Sequence, residues 1–486
     1  MTLQIGDTIS NLIRRLVGRN SRTSGRHAGL SLPALAYEAP RRRAIRLALT
    51  CAMVITPRIA LGEPISVQSP TVIVDTTNAT TGHAFFVEKS GIDEDVFSAL
   101  GWFNPVLGGQ HGNGTNVDPS QWSDNAVWIP WTNNGVARMN GFFNYALVGN
   151  TLGTPWIVPS NNPYIPWQFN WATMAPPDGA GFFVESGFAW NNGSTGRLNI
   201  FGTTLPALDK VGGQTANNGI RDLWWDGSSW NWFDHGRPPG TDAVTLGRNS
   251  AVWDRSSQQG RVFVAASANG LRGALPQLWD LFWNGSQWSW ESLGNPFGTN
   301  AASNDQVVTM RSPVVVDGVQ NGTYVLTAFV VGLHATNTLG GSPQVRYELY
   351  AKEKIGAGAW SDWIQFGHPD NAPFSDINHP SLFLVDQGVR WIDGDLLRGS
   401  LFGTDTSNRL IDLFHDNNGW QWAAPVPLPQ PQPPAAPIWI SSRISCAVLT
   451  SVVGYPGWHL TALMRDNTGR VWNRQFDSSS ASWVWK

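Results

Sequence analysis

Three short segments follow a Trp at one interval and hold side chains able to bind a small polar molecule. Each reads Trp, three residues, Gly, one residue, Pro: Trp232 to Pro238, Trp290 to Pro296 and Trp363 to Pro369. The first offers Asp234, His235 and Arg237, the second Glu291 and Asn295, and the third Gln365 and His368 with Asp370 just beyond. Hydrogen-bonding side chains that change identity on a repeated frame suit recognition, and Trp225 and Trp283 upstream add aromatic surface. The same positions also suit solvated turn residues and caps. Other chemistries lack their motifs. There is no Gly-x-Ser-x-Gly elbow, phosphate loop or His-Glu-x-x-His helix, and no Cys or His pair at zinc-ligand spacing, so no metal or cofactor is expected.

The elements that carry these segments are strands. The chain has 486 residues with 51 Gly, 32 Pro and 27 Trp, and only 14% are charged. Gly and Pro are poor inside helices and frequent in turns, whereas aromatic and β-branched residues fit pleated strands, so an all-β chain is expected. Self-similarity is plain between Leu223-Trp224-Trp225-Asp226-Gly227-Ser228-Ser229-Trp230-Asn231-Trp232 and Leu281-Phe282-Trp283-Asn284-Gly285-Ser286-Gln287-Trp288-Ser289-Trp290. Further copies are Leu349 to Pro369, Leu413 to Trp422, Val471 to Trp485 and Trp167 to Pro177, and a degenerate unit is expected from Ser69 to about Trp122. Trp171, Trp232, Trp290, Trp363, Trp422 and Trp485 close the visible copies.

In the clearest unit, Ala251–Trp253, Arg261–Ala266, Gln277–Trp283 and Gln287–Glu291 read as four strands, with Asn284-Gly285 in a type I′ hairpin turn, as Asp226-Gly227 is in the preceding copy. Four antiparallel strands per repeat with a Trp signature describe a blade of a β-propeller, and the spacing predicts seven blades in one domain spanning 63–486. The Pro-rich stretch 425–437 is then a loop between blades. Trp230, Trp232, Trp288, Trp290, Trp360, Trp363, Trp420 and Trp422 recur because the fold repeats, and most are read as packing between blades.

Trp360-Ser361-Asp362-Trp363 with Gly367, and Trp288-Ser289-Trp290 with Gly294, resemble the repeats of bacterial seven-bladed propeller lectins of the Photorhabdus type. The likeness to fungal fucose-binding propeller lectins is more distant. The resemblance implies sugar recognition in pockets on one face or between neighbouring blades, with glycans or glycoconjugates as partners. It implies binding without catalysis. An aromatic ring would cover the C–H face of the sugar while Asp, Asn, His or Arg bonds its hydroxyls.

Two other classes stay open. A glycoside hydrolase on a propeller needs paired carboxylates, which no local motif supplies. Arg465-Asp466-Asn467-Thr468-Gly469-Arg470-Val471-Trp472 approaches the sialidase Asp-box, Ser-x-Asp-x-Gly-x-Thr-Trp, but with the wrong spacing between Asp and Gly. A protein-binding or structural propeller needs an exposed apolar patch.

Charge and the N-terminal grammar address compartment. Residues 1–62 hold ten Arg against Asp7 and Glu38, whereas the rest is acidic, which opposes nucleic-acid binding. Arg41-Arg42-Arg43 precedes the apolar run Leu47–Ile55 and the small-residue pattern Ala60-Leu61-Gly62, so 1–62 is expected to be an export leader, and the paired Arg42-Arg43 with the late Arg58 also resembles a twin-arginine signal. The run is too short to span a membrane. The expected location is secreted or periplasmic. Cys51 would leave with that leader, and Cys446 is expected to be a small buried core residue.

Overall fold

The computed structural model describes the backbone of strands at 71–74, 81–88, 91–98 and 101–102. It further describes 127–134, 136–145, 151–162, 165–176, 181–204, 219–267, 275–298, 305–336, 344–376, 381–393, 395–431, 436–452, 455–478 and 482–485. The expected export leader, 1–62, lies outside the described residues.

The described strands form seven antiparallel sheets, each a meander in which consecutive strands pair. The first sheet holds Thr71–Val74, Thr81–Glu88, Gly91–Ser98 and Gly101–Trp102, within the span of the degenerate unit, and the second runs from Val127–Asn133 to Ile165–Met174. The third contains Phe182–Asn192, Thr195–Thr204, Ile220–Trp225 and Trp230–Gly236, and the fourth Ala243–Asp254, Gln259–Ser267, Gln277–Trp283 and Trp288–Gly294. In the fifth, Asp305–Gln320, Thr323–Thr336, Gln344–Ile355 and Ile364–Gly367 are joined by the short Ser375–Asp376. The sixth comprises Phe383–Asp393, Leu396–Asp405, Leu410–Asp416 and Gly419–Trp422, and the seventh Ser445–Val452, Tyr455–Arg465, Val471–Asp477 and Ser482–Trp485. The first strand of each sheet lies beside the first strands of two others, and 71–74 neighbours both 127–133 and 445–452. That closed succession of inner strands is a β-propeller, and the described residues contain no helix.

Burial explains the ring. Each apolar cluster joins two neighbouring sheets: Phe188 and Phe201 of the third meet Val262, Val264 and Leu281 of the fourth, and Phe329, Val331 and Leu349 of the fifth meet Phe383, Leu401 and Leu413 of the sixth. A sheet with two apolar faces is stable only when neighbours cover both, so adding sheets until the ring closes leaves no apolar face bare. The periodic Trp residues work at these boundaries, as expected. Trp290 Nε1 donates to the His235 carbonyl at 3.4 Å and Trp422 Nε1 to the Phe366 carbonyl at 2.8 Å, each reaching the outer strand of the preceding sheet. The Pro-rich loop lies between the sixth and seventh sheets, where Leu428 and Ile440 enter their shared core beside the buried Cys446.

Two local details differ from expectation. Gly227 and Gly285 have φ of 98°, but Asp226 and Asn284 are not left-handed, so the turns are not type I′. Instead the side-chain oxygens of Asp226 and Asn284 accept N–H bonds from the residues two and three positions on, an Asx geometry that closes the hairpin from the side chain. The first strand of the fourth sheet also starts eight residues before Ala251, at Ala243.

A buried carboxylate recurs in the third strands. Asp222, Asp280 and Asp412 each precede a buried Leu that pairs with an outer-strand Trp: Leu223 with Trp232, Leu281 with Trp290 and Leu413 with Trp422. Their supports differ, namely Asn199 for Asp222, Arg261 for Asp280, and Ser400 with the nearby Arg474 for Asp412. Burial pushes the Asp412 carboxyl up to about 7, against the pull of Ser400 and Arg474. Between an unfolded carboxyl near 4 and this value the folded state binds the extra proton, so stability falls as pH rises through that window. The slope for one proton is at most about 1.4 kcal/mol per pH unit. Thermal melts of wild type and Asp412→Asn from pH 4 to pH 8 should show the wild type losing stability relative to the variant up to about pH 7; a constant difference would contradict this assignment.

Candidate functional site

The Trp-x₃-Gly-x-Pro signature marks where each outer strand leaves its sheet. Gly236, Gly294 and Gly367 have φ of 64°, 84° and 68°, each beside a register shift, so glycine is demanded by conformation. A Cβ at any of them would meet nothing within 4 Å. The next residue ties this exit to the start of the following sheet. Arg237 Nη1 donates to the Asp242 carbonyl at 2.9 Å, Asn295 Nδ2 donates to the Val307 and Pro276 carbonyls at 3.0 and 2.8 Å, and His368 Nε2 lies 3.1 Å from the Ser381 carbonyl. One position with three residue types thus performs one structural task.

The ten residues singled out from the sequence do not converge. Trp225 pairs with Trp230, and Trp283 with Trp288, at the hairpin ends of their strands, whereas Ile220 pairs with Gly236 at the other end. Five residues at about 3.3 Å each separate Trp225 from the loop residues of its own sheet by roughly 17 Å. Asn295 and His368 are buried and engaged, contrary to the expected display. His235 is enclosed by Phe201, Phe233 and Trp288 and faces Asp222 at 3.8 Å. Gln365 donates to the buried Glu348, Asp370 bonds His368 Nδ1 at 2.6 Å, and Glu291 projects into solvent. Asp234 and Arg237 share a groove of about 430 Å³ with Thr204, Gly219 and the loop Pro238–Thr241. Asp234 is half-exposed there, held by Arg221 Nη2 at 3.1 Å and by the Gly236 N–H.

A second constellation lies between the fifth and sixth sheets, toward their hairpin ends. Arg390, in the first strand of the sixth sheet, is almost fully buried, and its Nη2 donates to Glu353 Oε2 at 2.9 Å. Thr327 Oγ1 donates to the same oxygen at 2.9 Å, while the guanidinium lies 5.2 Å from the centre of the Trp420 ring. Arg390 Nε and Nη1 and Trp420 Nε1 are buried without a protein acceptor. Glu353 is a quarter exposed and brings the cluster to the surface. Unpaired buried donors cost about 1–3 kcal/mol each, so the cluster is costly as it stands, and Glu353 is the member that a solvent-borne group can reach. No local motif marks Arg390, which sits in a strand that also carries Asp386, Gln387 and Asp393. Pairing across the first two strands makes Trp253, Asp317 and Arg390 equivalent in three successive sheets, an irregularity that aligned first strands would expose.

Charged groups also gather among the innermost strands. Glu185 is paired with Arg443 Nη1 at 3.5 Å, and Asp386 accepts the Ile444 N–H at 3.0 Å. Burial raises both carboxyls, while Arg443 and Arg248 oppose the rise. Among the described residues no three His, Cys, Asp or Glu side chains are arranged to hold a metal ion. Asp466 of the Asp-box-like segment caps its own turn through the Thr468 and Arg470 N–H groups and accepts Trp472 Nε1 at 2.8 Å.

No family model matches the chain, and no curated protein does. Solved structures similar to it include a mutant of AofleA from Arthrobotrys oligospora, at 14% identity over 74% of this chain and 85% of that one, with a TM-score of 0.40. Aleuria aurantia lectin, described as a six-bladed β-propeller with a novel fucose recognition mode, is 12% identical over 76% of this chain and 100% of that one, at 0.41. The GH93 α-L-arabinofuranosidase of Fusarium graminearum, in complex with arabinobiose, is 11% identical over 72% and 90%, also at 0.41. Likeness at this level decides neither the number of sheets nor a ligand.

The exit-loop assignment has a measurable consequence. Asn295→Ala removes both bonds to buried carbonyls and should lower stability by about 1–3 kcal/mol in chemical denaturation, whereas the exposed Asp234→Asn should change it by less than about 0.5 kcal/mol. Equal effects would contradict the division between a structural and a displayed residue.

Proposed function

We propose that this chain is a carbohydrate-binding propeller that holds glycans without cleaving them and acts after export. The observation that carries the reading is Glu353, a carboxylate that reaches solvent at the boundary of the fifth and sixth sheets while accepting from the buried Arg390 and Thr327. Sugar hydroxyls donate to such a carboxylate, whereas a simple anion would confront it. The groove at Asp234 and Arg237 is a further polar cavity, with a volume within the roughly 300–1,000 Å³ of small-molecule pockets.

The clustered carboxyls favour a second reading, a glycoside hydrolase. Glu185 and Asp386 come from different sheets, and burial holds each above the usual carboxylate range, as a general acid requires.

Glycan-array binding by the full-length protein tests both. Binding competed by free sugar, weakened at least tenfold by Glu353→Gln with little change in melting temperature, is expected for the lectin reading. An array without binders, or a Glu353→Gln variant that binds as wild type, would overturn it. Release of sugar over hours that stops in Glu185→Gln or Asp386→Asn would establish the hydrolase instead.

A further inference from the structure

We propose that the groove at the exit of the third sheet binds a sugar through two adjacent hydroxyls that donate to Asp234, in the place that a protein side chain fills in the next two sheets. The inference rests on the reading of this chain as a carbohydrate-binding propeller and adds a site to it. Strand register supplies the comparison. Ile220 pairs with Gly236, Leu278 with Gly294 and Leu349 with Gly367, so Gly219, Gln277 and Glu348, each one residue earlier, are equivalent. Arg221 pairs with Asp234, Trp279 with Ser292 and Tyr350 with Gln365, so Asp234, Ser292 and Gln365 are equivalent as well. In the fourth sheet Ser292 Oγ donates to Gln277 Oε1, and in the fifth Gln365 Nε2 donates to Glu348 Oε2 at 2.6 Å. A side chain from the start of the third strand thus bridges to the outer strand in both.

In the third sheet that side chain is absent, because the position is Gly219. Its φ is not in the left-handed region, so conformation does not demand glycine there. The lost side chain leaves space instead. Gly219, Asp234 and Gly236 line the groove of about 430 Å³, and a Cβ on Gly219 would stand 3.1 Å from the Gly236 carbonyl oxygen. A carboxylate offers about four acceptor positions. Among the described residues Asp234 uses two, since Oδ1 accepts the Gly236 N–H at 2.8 Å and Oδ2 accepts Arg221 Nη2 at 3.1 Å. One position is left on each oxygen, and the side chain is 54% exposed. Hydroxyls on adjacent carbons present two donors side by side, which matches the two oxygens. Charge selects against ions, because a cation would stand beside Arg221 and Arg237 and an anion would confront Asp234.

The test titrates methyl glycosides of glucose, galactose, mannose, fucose and arabinose calorimetrically into full-length protein carrying Glu353→Gln, which isolates the groove from the site at Glu353. At least one glycoside should bind. Adding Gly219→Gln, which supplies the side chain that Gln277 supplies in the fourth sheet, should abolish that binding. Adding Asp234→Asn instead should weaken it at least tenfold, as should removing one of the paired hydroxyls from the sugar. Melting temperatures close to the parent's show that the variants are folded. Binding unchanged by Asp234→Asn would overturn the proposal, and so would a deoxy series in which no position matters. Absence of binding to the Glu353→Gln protein, while the wild type binds glycans on the array, would overturn the groove and leave the sugar reading standing. Capture of methylammonium or acetate there in preference to every glycoside would overturn the ligand class. A wild type that binds no glycan and no glycoside would overturn the sugar reading itself, a separate result.

Discussion

No sheet of this protein can cover its own two faces, and the structure follows from how neighbouring sheets cover them. Large aromatic and aliphatic side chains fill each boundary, but apolar packing is non-directional and would tolerate sliding of one sheet over the next. Trp removes that freedom. Its ring supplies buried area, and where its N–H finds an acceptor it also fixes position, as Trp290 and Trp422 do on the backbone of the preceding outer strand. The indole therefore sets position as well as packing. This accounts for the retention of Trp in copy after copy while the residues between them vary.

Once the boundaries are made of packed indoles, any polar group placed there is expensive, and its location becomes informative. Asp222, Asp280 and Asp412 occupy one repeated position yet have different supports, so the frame tolerates a buried carboxyl wherever some donor can reach it. Asp254 at the fourth-to-fifth boundary is more fully satisfied, since it accepts from Arg261, Lys354 and two serines, which hold it well below the usual carboxylate range. Arg390 is less satisfied than Asp254: it hydrogen-bonds one carboxylate, Glu353, with Asp317 nearby, and two of its nitrogens face no protein acceptor, as one oxygen of each of Asp222, Asp280 and Asp412 also meets no donor. What sets it apart is that its partner Glu353 reaches solvent.

The repeat was legible in the sequence because the residues that build boundaries are chemically distinctive and nearly evenly spaced. Trp230, Trp232, Trp288 and Trp290 reveal the outer strands, and the Gly of the exit turn is required by its positive φ, so both survive divergence of the rest. The site was far less legible. A varied residue after the exit Gly resembles a recognition position, yet Arg237, Asn295 and His368 meet different neighbouring carbonyls with whatever donor is present. Variation there reflects a tolerant backbone acceptor. Trp225 and Asp234 are close in sequence but sit at opposite ends of a hairpin, and linear proximity carries no warning of that.

The contrast between Asn295 and Arg390 separates two meanings of a polar residue in a repeat. Asn295 spends its amide N–H groups on carbonyls that the fold always provides, so its partners are main-chain atoms and its removal harms the frame. Arg390 meets a side chain, Glu353, that comes from another sheet, and nothing in the backbone demands either of them. The positions equivalent to Arg390 hold Trp253 and Asp317, so the propeller is built equally well around an apolar ring, an acid or a guanidinium. A buried charge that the architecture does not require, matched by a carboxylate open to solvent, is costly to keep for stability alone. On the reading proposed above, a ligand bound through Glu353 offsets part of that cost, at a boundary between sheets and away from the variable exit loops.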